Sequence, residues 1–262
     1  DQSLKDYRFS DAAMTGYRFL WNDFCDWFLE LSKQDLASAD ETVKGCAQYV
    51  LWLVLGETLL ILYPVMPFVT AEIWSRLQPD GDIAKAQWPP YRPGCVRPAL
   101  AAQMEFVKNV IIATRTIKAE LGISPARKVN LILHPVDAGQ RELLAANQES
   151  ISRLARLESL LIDAGAEAPK AAAAQVVEGC QVIVPLGGLV NLEDEVARLN
   201  KEIARLDKEL AAVDGKLNNE SFVSRAPEAV VAREKERADK LFDARNKLLA
   251  RRALFGQALD QD

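Results

Sequence analysis

Apolar residues recur every three or four positions along most of this chain, a period that predicts helices, with one short stretch where the period drops to two. Tyr17, Leu20, Trp21, Phe24, Phe28 and Leu31 form the first helical stripe, with Ser10 as its candidate cap. Ser38 and Glu41 match a capping box ahead of a nearly unbroken apolar run from Cys46 to Tyr63. Pro64 has no amide hydrogen and clashes with the preceding turn, so that helix is expected to stop before it. Pro67 suits the first turn of another. "YPVMPFVTAEIW" at 63–74 therefore reads as a corner, followed by an amphipathic helix with Phe68, Ile73, Trp74 and Leu77 on one face. "QPDGD" ends it, and "WPPYRPG" is too rich in proline for regular structure. A last long helix is expected from about 99 to 121, with Met104, Val107, Val110, Ile111 and Ile117 inward, Gly122 as its C-terminal cap and Pro125 beyond.

"KVNLILH" then alternates and is β-branched, the pattern of a strand. Residues 138–157 return to the helical period in one or two pieces. "SLLID", "QVV" and "CQVIVP" read as further strands, the last two joined at Glu178 and Gly179. The four alanines at 171–174 are assigned to no element, and "PLGGL" closes the segment as a hinge. Beyond it Leu192, Val196, Leu199, Ile203, Leu206, Leu210, Val213 and Leu217 repeat by four and three, the seam of a coiled coil. "NNESFVSRAP" interrupts, and Pro227 can open a return helix with Leu241, Leu248 and Phe255 seven apart. A short connection favours an antiparallel hairpin within one chain. The expected fold class is thus mainly α: a helical bundle over 1–126, a small α/β connector module over 127–189 and a coiled-coil hairpin over 190–262.

Composition narrows the function. The 262 residues are 49% hydrophobic and 26% charged, as in globular proteins, and the net charge of −5 gives no overall bias towards nucleic acid. Charge is unevenly spread, though. Residues 190–256 hold 14 basic and 13 acidic side chains, without the acidic excess of the preceding part. Cys25, Cys46, Cys95 and Cys180 are scattered and His134 is the only histidine, so a zinc site is not expected. The cysteine usage and the lack of a signal peptide point to a reducing cytoplasm. The run from 46 to 63 approaches transmembrane length, but Gln48, Gly56 and Glu57 interrupt it, so a buried bundle helix is expected rather than a membrane span.

No catalytic constellation is present: no phosphate loop ending in Lys-Ser or Lys-Thr, no nucleophile elbow, and no histidine beside a cysteine. Basic residues at helical spacing carry more. Arg198 with Arg205, and Lys201 with Lys208, recur after seven residues; Arg225 sits between the helices, and Arg245 and Arg252 follow on the return helix. Such a rod can track a phosphate backbone, although a solvated coiled-coil exterior has the same spacing. Arg115 and Lys118 flank the end of the bundle's last helix.

"YRFSDAAMTGYRFLWNDFCDWFLELSK", "YPVMPFVTAEIW" and the following "WP" resemble the anticodon-binding helical domain of class I aminoacyl-tRNA synthetases. "WNDFCDWFLE" is most similar to the valyl-tRNA synthetase family, as are "VNLEDEVARLNKEIARLDKEL" and "KLNNESFVSRAPEAVVAREKER", which resemble that family's C-terminal coiled coil. Tyr63 departs from the histidine usual before the first proline. The family's HIGH and KMSKS signatures are absent, as is an N-x-x-R-F-like element of the bundle. The resemblance implies a C-terminal fragment that catalyses nothing alone and needs no cofactor, ATP and magnesium serving the parent enzyme's valine–tRNA ligation. It implies valine-specific tRNA as partner, in a cytoplasmic monomer off the membrane. Pro67 and Phe68, with Arg115 and Lys118, are then expected at the anticodon side. Arg198, Lys201, Arg205, Lys208, Arg225, Arg245 and Arg252 are expected at the outer corner of the tRNA. The competing reading is a structural coiled-coil assembly module with no role in RNA binding.

Overall fold

The computed structural model describes residues 2–169, 171–187, 192–219 and 227–259. The chain divides into two compact units, Asp1–Pro98 and Ala99–Asp262. The long helix expected to complete the bundle thus groups with the second unit.

In the first unit, α1 (Gln2–Lys5) precedes α2 (Phe9–Arg18), a π-helical stretch (Phe19–Phe28) and α3 (Leu29–Leu36). The helix opens one residue before Ser10, so Ser10 lies in its first turn and does not cap it. The π-helical stretch, with wider turns, shifts the phase of the apolar stripe. Phe24 is buried, while Tyr17 and Trp21 lie half exposed and stack on one another with centroids 6.3 Å apart and planes at 7°. Helix α4 (Glu41–Leu62) is capped by Asp40, whose carboxylate accepts from the Thr42 amide at 2.8 Å. Ser38 instead accepts from the Asp40 amide at 3.1 Å, displacing the expected capping box by two residues. At Gly16 the backbone of α2 comes so close to α4 that a Cβ would sit 2.9 Å from Leu62 Cδ2.

The corner forms as expected: α4 stops at Leu62 and α5 (Pro67–Leu77) begins with proline in its first turn. Leu59, Trp74 and Ile83 make its core, flanked by Leu55, Leu60, Tyr63, Ala71 and Leu77. Phe68 departs from the expected inward face and points to solvent. Arg92, in the proline-rich segment, pairs with Glu57 of α4 at 2.5 Å. Helix α4 is long and apolar enough to cross a membrane, and its outer side exposes Val43, Tyr49, Val50, Trp52 and Ile61.

The second unit opens with α6 (Pro98–Glu120), whose Phe106, Val107, Val110, Ile111 and Ile117 are buried, whereas Met104 is exposed. Gly122, at φ +63°, ends it as expected: its amide donates to Ala119 O at 2.9 Å and that of Ile123 to Lys118 O at 2.8 Å, the two bonds of a left-handed helix stop. Strand β1 (Val129–His134), α7 (Ala138–Ala146), α8 (Gln148–Ala155) and β2 (Leu157–Ile162) form a crossover with the two strands parallel. Strands β3 (Ala172–Val177) and β4 (Cys180–Pro185) add an antiparallel hairpin, giving the order β2-β1-β4-β3. The alanines left unassigned in sequence are part of β3: Ala172, Ala173 and Ala174 pair with Pro185, Val184 and Ile183. Glu178 and Gly179, both at positive φ, form the two-residue turn that suits the strand twist.

The arm is α9 (Leu192–Leu217) and α10 (Glu228–Leu259). Leu199, Ile203, Leu206, Val213 and Phe255 are buried in its seam. Lys216 pairs with Glu234, Asp207 with Arg245, and Asn200 with Arg252, partners whose order along one helix reverses along the other. The hairpin is therefore antiparallel and intramolecular. The side chain of Leu192, the loop at 220–226 with Arg225, and the end of "PLGGL" lie outside the described residues. At the root of the arm the Arg251 guanidinium lies 5.6 Å from the Phe255 ring centroid and occupies the place a Cβ on Gly122 would take. Gly122 leaves the room that the Arg251 guanidinium fills.

Candidate nucleic-acid interface

An amphipathic helix whose seam is filled by a partner turns its other positions to water. At 100° per residue, Arg198, Lys201, Arg205 and Lys208 fall within one narrow stripe of α9, on the side away from Leu199, Ile203 and Leu206. All four are exposed. Arg198 lies 3.8 Å from Glu202 and Arg205 4.0 Å from Glu209, i,i+4 pairs that are long and solvated. Lys201 and Lys208 form no ion pair among the described residues. The stripe is thus a row of positive charge on a rigid support, with carboxylates along one border.

The other two arm cations differ. Arg245 bonds Asp207 across the seam through Nε, and Arg252 Nη1 donates to Asn200 Oδ1 at 3.4 Å. Both therefore stitch α10 to α9, and the structure does not gather them with the four cations of α9.

In the first unit, Pro67 and Phe68 sit together at the first turn of α5. The Phe68 side chain is 90% exposed, with little holding it but its own helix, so its hydrophobic face is open to a planar ligand. Tyr7, Tyr49 and Tyr91 are also strongly exposed on this unit. The first unit therefore exposes aromatic rings, and the arm exposes a row of cations.

Arg115 and Lys118 serve the packing of the second unit. Arg115 donates to Leu154 O through Nε at 3.2 Å and Nη2 at 2.9 Å. Lys118 is 3% exposed, and its ammonium donates to the carbonyls of Arg127 at 2.7 Å, Pro125 at 3.2 Å and Ala155 at 3.4 Å. Burial, then the neighbouring Arg156 and Arg115, hold its pKa below the usual lysine range. Its charge thus lies inside the unit, joining the end of α6 to the loop after it and to the end of α8. Arg156, which the sequence pattern does not single out, is the residue beside them. It has φ +53° at the end of α8, and "SRLARLE" carries no local sign that the helix stops there in a left-handed turn.

Among the described residues no group of three or more His, Cys, Asp or Glu side chains is placed to hold a metal. Cys180 is buried in the sheet, and burial pushes its thiol up to about 11, far from a reactive thiolate.

Residues 1–133 match the family described as the anticodon-binding domain of tRNA ligase, and residues 191–255 match the valyl tRNA synthetase tRNA binding arm. The chain is 48% identical over 255 residues to a valine–tRNA ligase of Nitratidesulfovibrio vulgaris, covering 97% of this chain and 29% of that protein. It is 45% identical to the enzyme of the same name from Geobacter sulfurreducens, over 95% of this chain and 28% of the relative. With the Geobacillus kaustophilus valine–tRNA ligase it shares 37% identity over 94% of this chain and 28% of the relative. The chain therefore spans less than a third of the length of these relatives.

Proposed function

The chain belongs to the valyl-tRNA synthetase family, joining an anticodon-binding domain of tRNA ligases to that synthetase's tRNA binding arm, and from that membership we propose that it is a tRNA-binding region that holds valine tRNA at two places. The helical bundle takes the anticodon, with Pro67 and Phe68 offering an apolar step on which an unstacked base can lie. The arm takes the outer corner of the folded RNA, gripping phosphates with Arg198, Lys201, Arg205 and Lys208. Phosphate contacts position a protein without carrying sequence information, so the arm adds affinity and the bundle adds identity. The chain works in the cytoplasm as a monomer, as the C-terminal region of an enzyme whose catalytic domain attaches valine to tRNA with ATP and magnesium.

The observation that carries the reading is the exposed cation stripe on the side of α9 away from its seam. The assembly-module reading needs an apolar seam open to another chain. In this hairpin the seam of α9 is filled by α10 of the same chain, which argues against it.

The test is a titration with valine tRNA and one non-cognate tRNA across a salt series. Replacing Arg198, Lys201, Arg205 and Lys208 with alanine should weaken both RNAs in similar proportion. It should also flatten the salt dependence by roughly 0.9 in log–log slope for each phosphate no longer neutralised. Disappearance of the cognate preference at an unchanged slope would make the arm a sequence reader and defeat the proposal.

A further inference from the structure

Between the C-terminal ends of α6 and α8 lies an open cleft of about 640 Å3, within the size range of ligand sites. Ile123, Pro125 and Leu154 give it an apolar lining, and Arg115, Lys118 and Arg156 are its charged residues, with no carboxylate in its wall. The charges have different duties. Lys118 is committed to three carbonyls beneath the cleft, and Arg115 is braced on Leu154 O. Both are held in place by the fold, and both raise the potential of the cleft without needing to move.

Arg156 is held in another way. It stops α8 with φ +53° and ψ +68°, a left-handed conformation that normally falls to glycine because a Cβ strains it. Its amide donates to Arg153 O and its carbonyl accepts from Val129 N, both at 3.3 Å, so the bend is tied to β1 and persists. Helix termination alone would be better served by glycine. Strained residues of this kind gather where a side chain is needed in one place, and this one lines the cleft.

We propose that the cleft takes one unstacked nucleotide of the bound RNA, its base on Ile123 and Pro125 and its phosphate between Arg115 and Arg156. This deepens the tRNA-binding reading and rests on it: it places a third point of attachment in the module that neither matched family region covers in full. An apolar floor beneath a cationic rim complements a nucleotide, which is flat and apolar on its faces and anionic at one edge.

Arg156→Gly separates the cation from the fold, because glycine relieves the backbone. Thermal stability should be retained or rise. Affinity for a valine tRNA transcript should fall about threefold to tenfold and the salt slope by about 0.7 to 0.9, the share of one phosphate. Arg156→Lys keeps the charge and should keep most of the slope. Should the glycine variant misfold, Arg156→Asn takes its place, asparagine also tolerating this backbone. Unchanged affinity and slope in Arg156→Gly, while the fourfold α9 variant weakens in the same assay, would overturn the cleft proposal and leave the tRNA reading standing. No salt-dependent tRNA binding by the wild type would sink both. Saturable binding of adenosine monophosphate without RNA, abolished in Arg156→Gly, would make the cleft a site for a free nucleotide and overturn its assignment to a strand.

Discussion

Lys118→Met separates a structural lysine from an RNA-binding one. Methionine fills the space of the stem but removes the ammonium, and with it the bonds to Arg127 O at 2.7 Å, Pro125 O at 3.2 Å and Ala155 O at 3.4 Å. Taking about 1 kcal/mol net for each gives about 3 kcal/mol, with further cost where a carbonyl is left dry. Against this, the variant no longer buries a charge beside Arg156 and Arg115, which offsets part of that loss. The net loss should be about 2–3 kcal/mol, a large part of the stability of a marginally stable domain. Urea unfolding followed by circular dichroism measures it, and a tRNA salt series on the folded variant measures the other side. The salt slope should not change, because an ammonium spent on carbonyls releases no counterion from RNA. A loss below about 0.5 kcal/mol together with a flatter salt slope would mean that Lys118 touches phosphate.

The same residue makes a pH prediction. Its folded pKa lies below the ordinary 10.5, so the folded state gives up this proton before the unfolded chain does. Wild-type stability, relative to Lys118→Met, should therefore rise as pH passes the folded pKa towards 10.5, and matched urea midpoints in alkaline buffers would check this. Phe68→Ala should leave the melting temperature unchanged, since the ring is almost wholly exposed, while weakening an anticodon stem-loop by about 1–3 kcal/mol if a base stacks there; unaltered stem-loop affinity would remove Phe68 from the interface. Gly122→Ala should cost more than about 1 kcal/mol, as the new Cβ is strained at φ +63° and meets the Arg251 guanidinium. Arg251→Ala in the same background should recover part of the loss in thermal unfolding.

Where a local rule governs the backbone, the chain was readable in advance. The double proline fixed the corner, Gly122 the end of α6, and the four-and-three repeat the arm. Sequence reading missed elements whose reason lies elsewhere in the fold. Alanines 172–174 have little preference for strand, and pairing with β4 is what makes them one. Ser10 and Ser38 looked like caps, but the helices start where packing lets them, one residue before the first and three after the second. The arm cations show the same division. Position along α9 was enough to place Arg198, Lys201, Arg205 and Lys208 outside, whereas the partners of Arg245 and Arg252 belong to the opposite helix. Lys118 was the hardest to read: a lysine near a helix end is ordinarily at the surface, and only three distant carbonyls turn it inward.

The seating of Arg251 on Gly122 makes the arm a lever with a very short inner end. Arg252 meets Asn200, so the seat lies at about that level of α9, and the helix from Asn200 to Leu217 spans about 26 Å; a tilt of about 10° there carries the far end about 4–5 Å. A fulcrum built from one guanidinium, one bare backbone position and one buried ring therefore bears on the direction of the arm's far end. Small errors at the root are multiplied at the tip, so one contact at the base weighs on the position of everything beyond it.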